Sequence, residues 1–167
     1  MISNKVNIIQ ATFNDIEIIQ QIAYKTWPIA YADILSKEQL KYMLDSFYNI
    51  KALESQIEKG HIFLMAEDEK TKYGFASFSS LDNPSIYKLH KLYVLPNTQQ
   101  LGIGKKLLQE VIERIKSLHG KTLLLNVNRN NKAIEFYKHL GFSIIDIDDI
   151  DIGNGYFMND YIMSKNI

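Results

Sequence analysis

One stretch restricts the possible folds more than any other: "LYVLPNTQQLGIGKKLL", residues 92–108. An apolar strand-like run ends at Pro96, and a polar connector follows. Then come Gly102 and Gly104, two lysines and a long amphipathic helical pattern. A strand must therefore hand over to a helix through a turn stripped of side chains. The first N–H groups of a helix have no partner within it and carry the positive end of its dipole, so they suit an anion. Glycines let that anion, or a sharply turning chain, come close. Two familiar phosphate motifs do not fit. A P-loop needs glycine where Gln99 stands and Ser or Thr where Lys106 stands. A dinucleotide fingerprint needs a third glycine where Leu107 stands. On its own the turn suits a phosphate group or a bare tight connection equally well.

The remaining pattern fills in around this handover. "VNIIQA" (6–11) reads as a first strand. Ile16, Ile18, Ile19, Ile22 and Ala23 recur at helical spacing, with Asn14 or Asp15 as cap and Pro28 as the stop. Ser36, three residues before Gln39, gives a capping-box start to a second helix with Leu40, Met43, Leu44 and Phe47 on its apolar face. A short helix over about 49–59 ends at Gly60. Strands follow at 61–67, 73–81 and 86–95, then the helix after the glycines, ending at Gly120. The run "TLLLNVN" (122–128) is apolar enough for a buried strand. A helix over 131–140 and strands at 142–147 and 156–164 complete the chain. The order predicts an α/β (α+β) domain spanning 1–167, a mixed sheet with helices packed on it.

Composition excludes several functions. The 19 basic residues balance the 19 acidic ones, so no global field favours nucleic acid. The absence of cysteine rules out disulfides, thiolate metal sites and a cysteine nucleophile, and fits a reducing compartment. The start lacks a signal-peptide pattern, and no apolar run is long enough to span a membrane. The expectation is a soluble cytoplasmic protein.

A second segment, "NVNRNNKAIEFYKHLGF" (126–142), sharpens the reading. Gln99, Gly102 and Gly104 fit Q/R-x-x-G-x-G/A. Asn130 or Asn131, Ala133, Tyr137, Gly141 and Phe142 fit a second signature. Together, in this order and spacing, the two blocks resemble the GCN5-related N-acetyltransferase (GNAT) superfamily. The resemblance implies a mostly antiparallel sheet of about seven strands, splayed between strands 4 and 5, with helices on both faces. It implies acetyl-CoA as co-substrate and no metal. The pyrophosphate would lie on the backbone of Gln99, Gln100, Leu101, Gly102, Ile103, Gly104 and Lys105. The pantetheine arm would lie along Leu92, Tyr93 and Val94, with an amide near Val94 facing the thioester oxygen.

The implied chemistry is direct attack of an amine on the thioester. Alone, Tyr137 reads as a core residue beside Phe136; the resemblance makes it the acid for the departing thiolate. Asn130 and Asn131 both qualify for helix capping and for a CoA contact. The base is His90, whose intrinsic pKa suits the task, or a water relay to backbone groups. Trp27 and Tyr31 would wall the acceptor pocket and stack on a cation, or simply pack a helix end. Asp146, Asp148, Asp149 and Asp151 read as a solvated loop, the alternative being an attraction for polyamines. The wider layout is similar to bacterial PaiA-like spermine/spermidine acetyltransferases. Expected acceptors are thus small amines such as polyamines or amino acids. Protein or peptide amines, and a CoA-binding regulatory module without catalysis, are the alternatives. A homodimer through the C-terminal strands would fit the resemblance.

Overall fold

The computed structural model describes residues 5–98 and 101–167. Seven strands form one sheet in the order β1-β2-β3-β4-β5-β7-β6. They are β1 (Asn7–Gln10), β2 (Ile62–Glu67), β3 (Lys72–Ser80), β4 (Ile86–Val94), β5 (Thr122–Asn128), β6 (Ser143–Gly153) and β7 (Tyr156–Asn166). The β4–β5 pair is parallel and all others are antiparallel. The helices are α1 (Ile16–Ala30), α2 (Lys37–Phe47), α3 (Ile50–Glu58), α4 (Ile103–Ser117) and α5 (Ala133–His139).

Alternation along the central strands feeds two cores, one on each face. In β2, Leu64 and Ala66 join Leu107, Leu108, Val111 and Ile115 of α4. Their neighbours Phe63 and Met65 join Ile19, Ile22, Leu44 and Leu53 of the first three helices. Both faces of β2 and β3 are thus buried, which is why their sequences are nearly continuously apolar.

The strand β4 breaks this regularity. Ser77 pairs with Lys91 and Phe78 with Leu89, so His90 is an extra residue, a bulge. The bulge reverses the inward parity. Before it, Tyr87 and Leu89 enter the α4 core; after it, Leu92 and Val94 do, and Tyr93 turns to the opposite core. Pairing with β5 also stops here, at Leu89 and Leu125. The rest of β4, His90 to Val94, and of β5, Asn126 to Asn128, is not paired across this boundary. This is the splay that the family resemblance implies. Gly74 permits it from the other side, since a Cβ there would lie 2.5 Å from the Tyr93 carbonyl oxygen.

Three expectations need correction. Pro28 lies inside α1 instead of ending it. A proline in the last turn loses one helical hydrogen bond, and the helix closes with Tyr31 N–H donating to Trp27 C=O at 3.0 Å. Ser36 caps α2 as predicted, accepting from Gln39 N–H, but the Gln39 amide donates to the Phe157 carbonyl of β7 instead of closing the box. The acidic tail is no loop. β6 continues through it to Gly153, paired with β7. The sheet ladder overrides the charge pattern, and the left-handed residues Gly153, Asn154 and Gly155 make the turn.

Candidate functional site

The turn after β4 leads into α4 through Gly102, whose φ of +64° lies in the left-handed region. A Cβ at Gly102 would meet nothing, so glycine is favoured here by backbone conformation, not by crowding. Gln99 and Gln100 lie outside the described residues. Leu101 N–H donates to Thr98 C=O at 3.0 Å and is spent inside the turn. The first helical bond runs from Lys106 N–H to Gly102 C=O. Among the described residues, the N–H groups of Gly102, Ile103, Gly104 and Lys105 have no acceptor. No acidic residue stands in the first turn of α4 to compete for them.

Gly104, in this first turn, lines a cavity of about 560 Å³. Gly104 and Val94 line one end, and Leu92, Tyr93 and the diverging β5 residues Asn126 to Asn128 line its course. A Cβ on Gly104 would only touch Val94 and Phe136, at 3.8 and 3.6 Å. A larger side chain would project into the mouth of the cavity.

Tyr137 projects from α5 into the same space. Its ring packs edge-on against Phe136 and Phe142, with centroids 5.2 and 5.6 Å away. Its hydroxyl has no hydrogen-bond partner among the described residues. Burial raises the phenol pKa above its ordinary range, so the group stays protonated at neutral pH and has a proton to donate. Of the two asparagines, Asn131 lines the cavity and accepts from Ala133 N–H at 2.8 Å. Asn130 is exposed and lies away from the cavity.

His90, at the bulge, also lines the cavity. Its Nε2 lies 2.7 Å from Ser79 Oγ, and its ring stacks on His61 at 4.1 Å. Burial first, then the neighbouring His61, Lys91 and Lys88, lower its pKa to about 3. The imidazole is neutral near pH 7 but a weak proton acceptor. The intrinsic pKa that recommends His90 as a base does not survive its surroundings.

Trp27 and Tyr31 of the α1 terminus also line the cavity. Trp27 is buried among Tyr31, Tyr48 and Tyr93, with centroids 4.8 to 5.6 Å away, and mainly holds the wall in place. Tyr31 shares a 2.9 Å hydrogen bond with Tyr93, hydroxyl to hydroxyl.

Sequence reasoning missed two charged residues here. Lys91 lies over the Tyr48 ring at 5.0 Å, with its pKa lowered to about 8 by burial. Asp160 of β7 is 2% exposed and faces the same cavity. A signal for Asp160 existed: it stands in step with Met158 and Ile162 on one side of the strand, where an apolar residue is expected.

Among the described residues no cluster of metal-ligating side chains occurs, and no helix is long and apolar enough to cross a membrane.

Comparison with known proteins bears on this geometry. The chain is 28% identical over 152 residues to a spermidine N(1)-acetyltransferase of Thermoplasma acidophilum, covering 87% of this chain and 93% of that one. The crystal structure of PaiA N-acetyltransferase from Thermoplasma acidophilum in complex with coenzyme A superposes with a TM-score of 0.84 at 26% identity, covering 98% and 99% of the two chains. The L-amino acid N-acyltransferase MnaT of Escherichia coli is 27% identical over 105 residues, 60% of this chain and 61% of that one. The sequence profile of the acetyltransferase (GNAT) family matches residues 16–142. With the glycine turn, the splayed β4–β5 pair and an acetyl-CoA-dependent transfer to an amine all accounted for in one cleft, the chain belongs to the acetyltransferase (GNAT) family.

Proposed function

We propose that the enzyme acetylates a cationic aliphatic amine of the polyamine type, such as spermidine. One observation carries the reading. Gly104 of the glycine turn, Tyr137, the rings of Trp27, Tyr31, Tyr48 and Tyr93, and Asp160 all line one cavity. The free N–H groups of 102–105 hold the pyrophosphate of acetyl-CoA, and the unpaired edge of Leu92 to Val94 holds its pantetheine as an added strand. Asn131, which accepts from Ala133 N–H at the start of α5, serves this arm. Tyr31, backed by Trp27, faces the acceptor. The amine nitrogen attacks the thioester carbonyl, the N–C bond forms and the C–S bond breaks. Tyr137 donates its phenolic proton to the departing sulfur and regains one from solvent.

A second reading rests on Lys91. It lines the same cavity and has no carboxylate within salt-bridge distance among the described residues. Such a cation would pair with the carboxylate of an amino acid or peptide acceptor. A thiol-release assay with acetyl-CoA separates the two. Spermidine is expected to give the higher kcat/KM. A preference for amino acids, abolished in Lys91→Met, would replace the first reading with the second.

A further inference from the structure

A buried carboxylate is costly unless a cation or several donors compensate it. Asp160 has neither. Among the described residues no basic group lies within salt-bridge distance of it. Its Oδ2 receives only a long 3.4 Å hydrogen bond from Asn126 Nδ2, which also donates to Asp148 Oδ2 at 3.2 Å. Its Oδ1 has no donor among the described residues. Arg129, the nearest guanidinium, is committed elsewhere, to Asp149 at 2.7 Å and to the Asp160 main-chain carbonyl. Lys88 of β4 acts only from a distance. On the other side, the Asp160 charge is near enough to Tyr31 to disfavour ionisation of that phenol.

We propose that Asp160 is the group that anchors the reacting ammonium of the acceptor and takes its proton. The assignment rests on the reading that the acceptor enters as a cation, and it holds for a polyamine or an α-amine alike. Asp160 lines the cavity of about 560 Å³ together with Tyr31 and the diverging residues of β4 and β5. Asn126 donates to both Asp160 and Asp148, so two carboxylates stand together at this part of the wall, where a cation is favoured locally. The proton balance is complete. The ammonium gives one proton to the carboxylate and becomes a nucleophile. It forms the N–C bond while the C–S bond breaks. Asp160 passes that first proton to solvent and then takes the second from the nitrogen, Tyr137 gives its phenolic proton to the sulfur and regains one from solvent, and one net proton is released per amide formed. Burial, by disfavouring the carboxylate, makes Asp160 a stronger proton acceptor than an exposed aspartate, and the groups facing it, Asn126, Asp148, Lys88 and Arg129, adjust that strength.

The test is Asp160→Asn, which keeps shape and removes the proton acceptor. With spermidine, kcat/KM is expected to fall by about 100-fold or more. The Kd for acetyl-CoA should stay unchanged. An acceptor amine that is already neutral at pH 7 should lose far less, because it needs no deprotonation before attack. Equal losses for both amines, or wild-type kcat/KM with spermidine, would overturn the assignment. A second variant, Asn126→Ala, leaves Asp160 in place without its donor. The carboxyl pKa should rise, and the acidic limb of the kcat/KM profile should move to higher pH; an unmoved limb counts against the proposal. If the wild type binds acetyl-CoA but acetylates no amine, the parent reading falls first, and this outcome is visible before any variant is made.

Discussion

Leu89 and Leu125 are the last residues paired in register between β4 and β5. One position further, His90 bulges out of the β3 ladder and the two strands part. The gap that opens is where Tyr137 enters from α5 and where the free backbone edge of Leu92 to Val94 is presented. Tyr137→Phe removes only the phenolic oxygen, and that oxygen holds no partner among the described residues. Turnover should drop by about 100-fold, while acetyl-CoA binds as before. Calorimetry and a thiol-release assay on one preparation check both halves. Full turnover in the variant would remove Tyr137 from the chemistry.

The two glycines of the turn should respond differently to substitution. Gly102 needs its left-handed φ, so Gly102→Ala should cost about 1–2 kcal/mol in stability. Gly104 is not strained, and a small side chain fits beside Val94 and Phe136. Gly104→Trp should fold with little loss yet fail to bind acetyl-CoA, because the indole occupies the mouth. Thermal unfolding and acetyl-CoA titration of both variants decide the point. A folded Gly104→Trp protein with unchanged affinity would show that the pyrophosphate sits elsewhere.

Gly74 keeps the end of β4 in place from the β3 side. A Cβ would meet the Tyr93 carbonyl oxygen at 2.5 Å and Val94 Cα at 2.9 Å, and backbone yields poorly. Gly74→Ala should destabilise by about 1–3 kcal/mol. The displaced Tyr93–Val94 edge should also weaken acetyl-CoA binding. A variant as stable and as tight-binding as the wild type would mean that the gap tolerates rearrangement.

The pH dependence of stability has a definite sign. In the folded protein the His90 pKa is lowered from 6.5 to about 3, and that of its stacking partner His61 is also lowered. Between those two values the unfolded chain binds more protons than the folded one, so stability rises with pH there. It is lost as pH falls from about 6.5 toward 3, and His90 has no effect above that range. His90→Asn should flatten the fall in Tm between neutral pH and about pH 4. The near-neutral limb of turnover should not move. If that limb disappears instead, His90 is the base after all.

Much of this was legible in the chain. The strand-to-helix handover at Gly102, the amphipathic α4 and the apolar β5 all follow from local pattern, and local pattern is what the fold respects there. The β4 bulge was not legible, because "IYKLHKLYVL" alternates well enough to hide an inserted residue, and only pairing with β3 reveals it. The acidic stretch after Ile145 misled for a related reason. Charges suggest a loop, yet the ladder with β7 carries the strand through to Gly153. In the site, Tyr137 and the glycines were found by motif. Asp160 was not, since a carboxylate among "FMNDYIM" gains meaning only when Asn126 and the cavity are seen beside it. His90 had the right chemistry in isolation and lost it on burial.

The most direct measurement is a crystal structure of the dead-end complex with coenzyme A and spermidine. The pyrophosphate should rest on the N–H groups of Gly102 to Lys105. The sulfur should lie within hydrogen-bond reach of Tyr137 Oη, and one spermidine nitrogen should contact Asp160 Oδ1. A coenzyme A sulfur outside the β4–β5 gap, or a spermidine bound away from Asp160, would contradict the account.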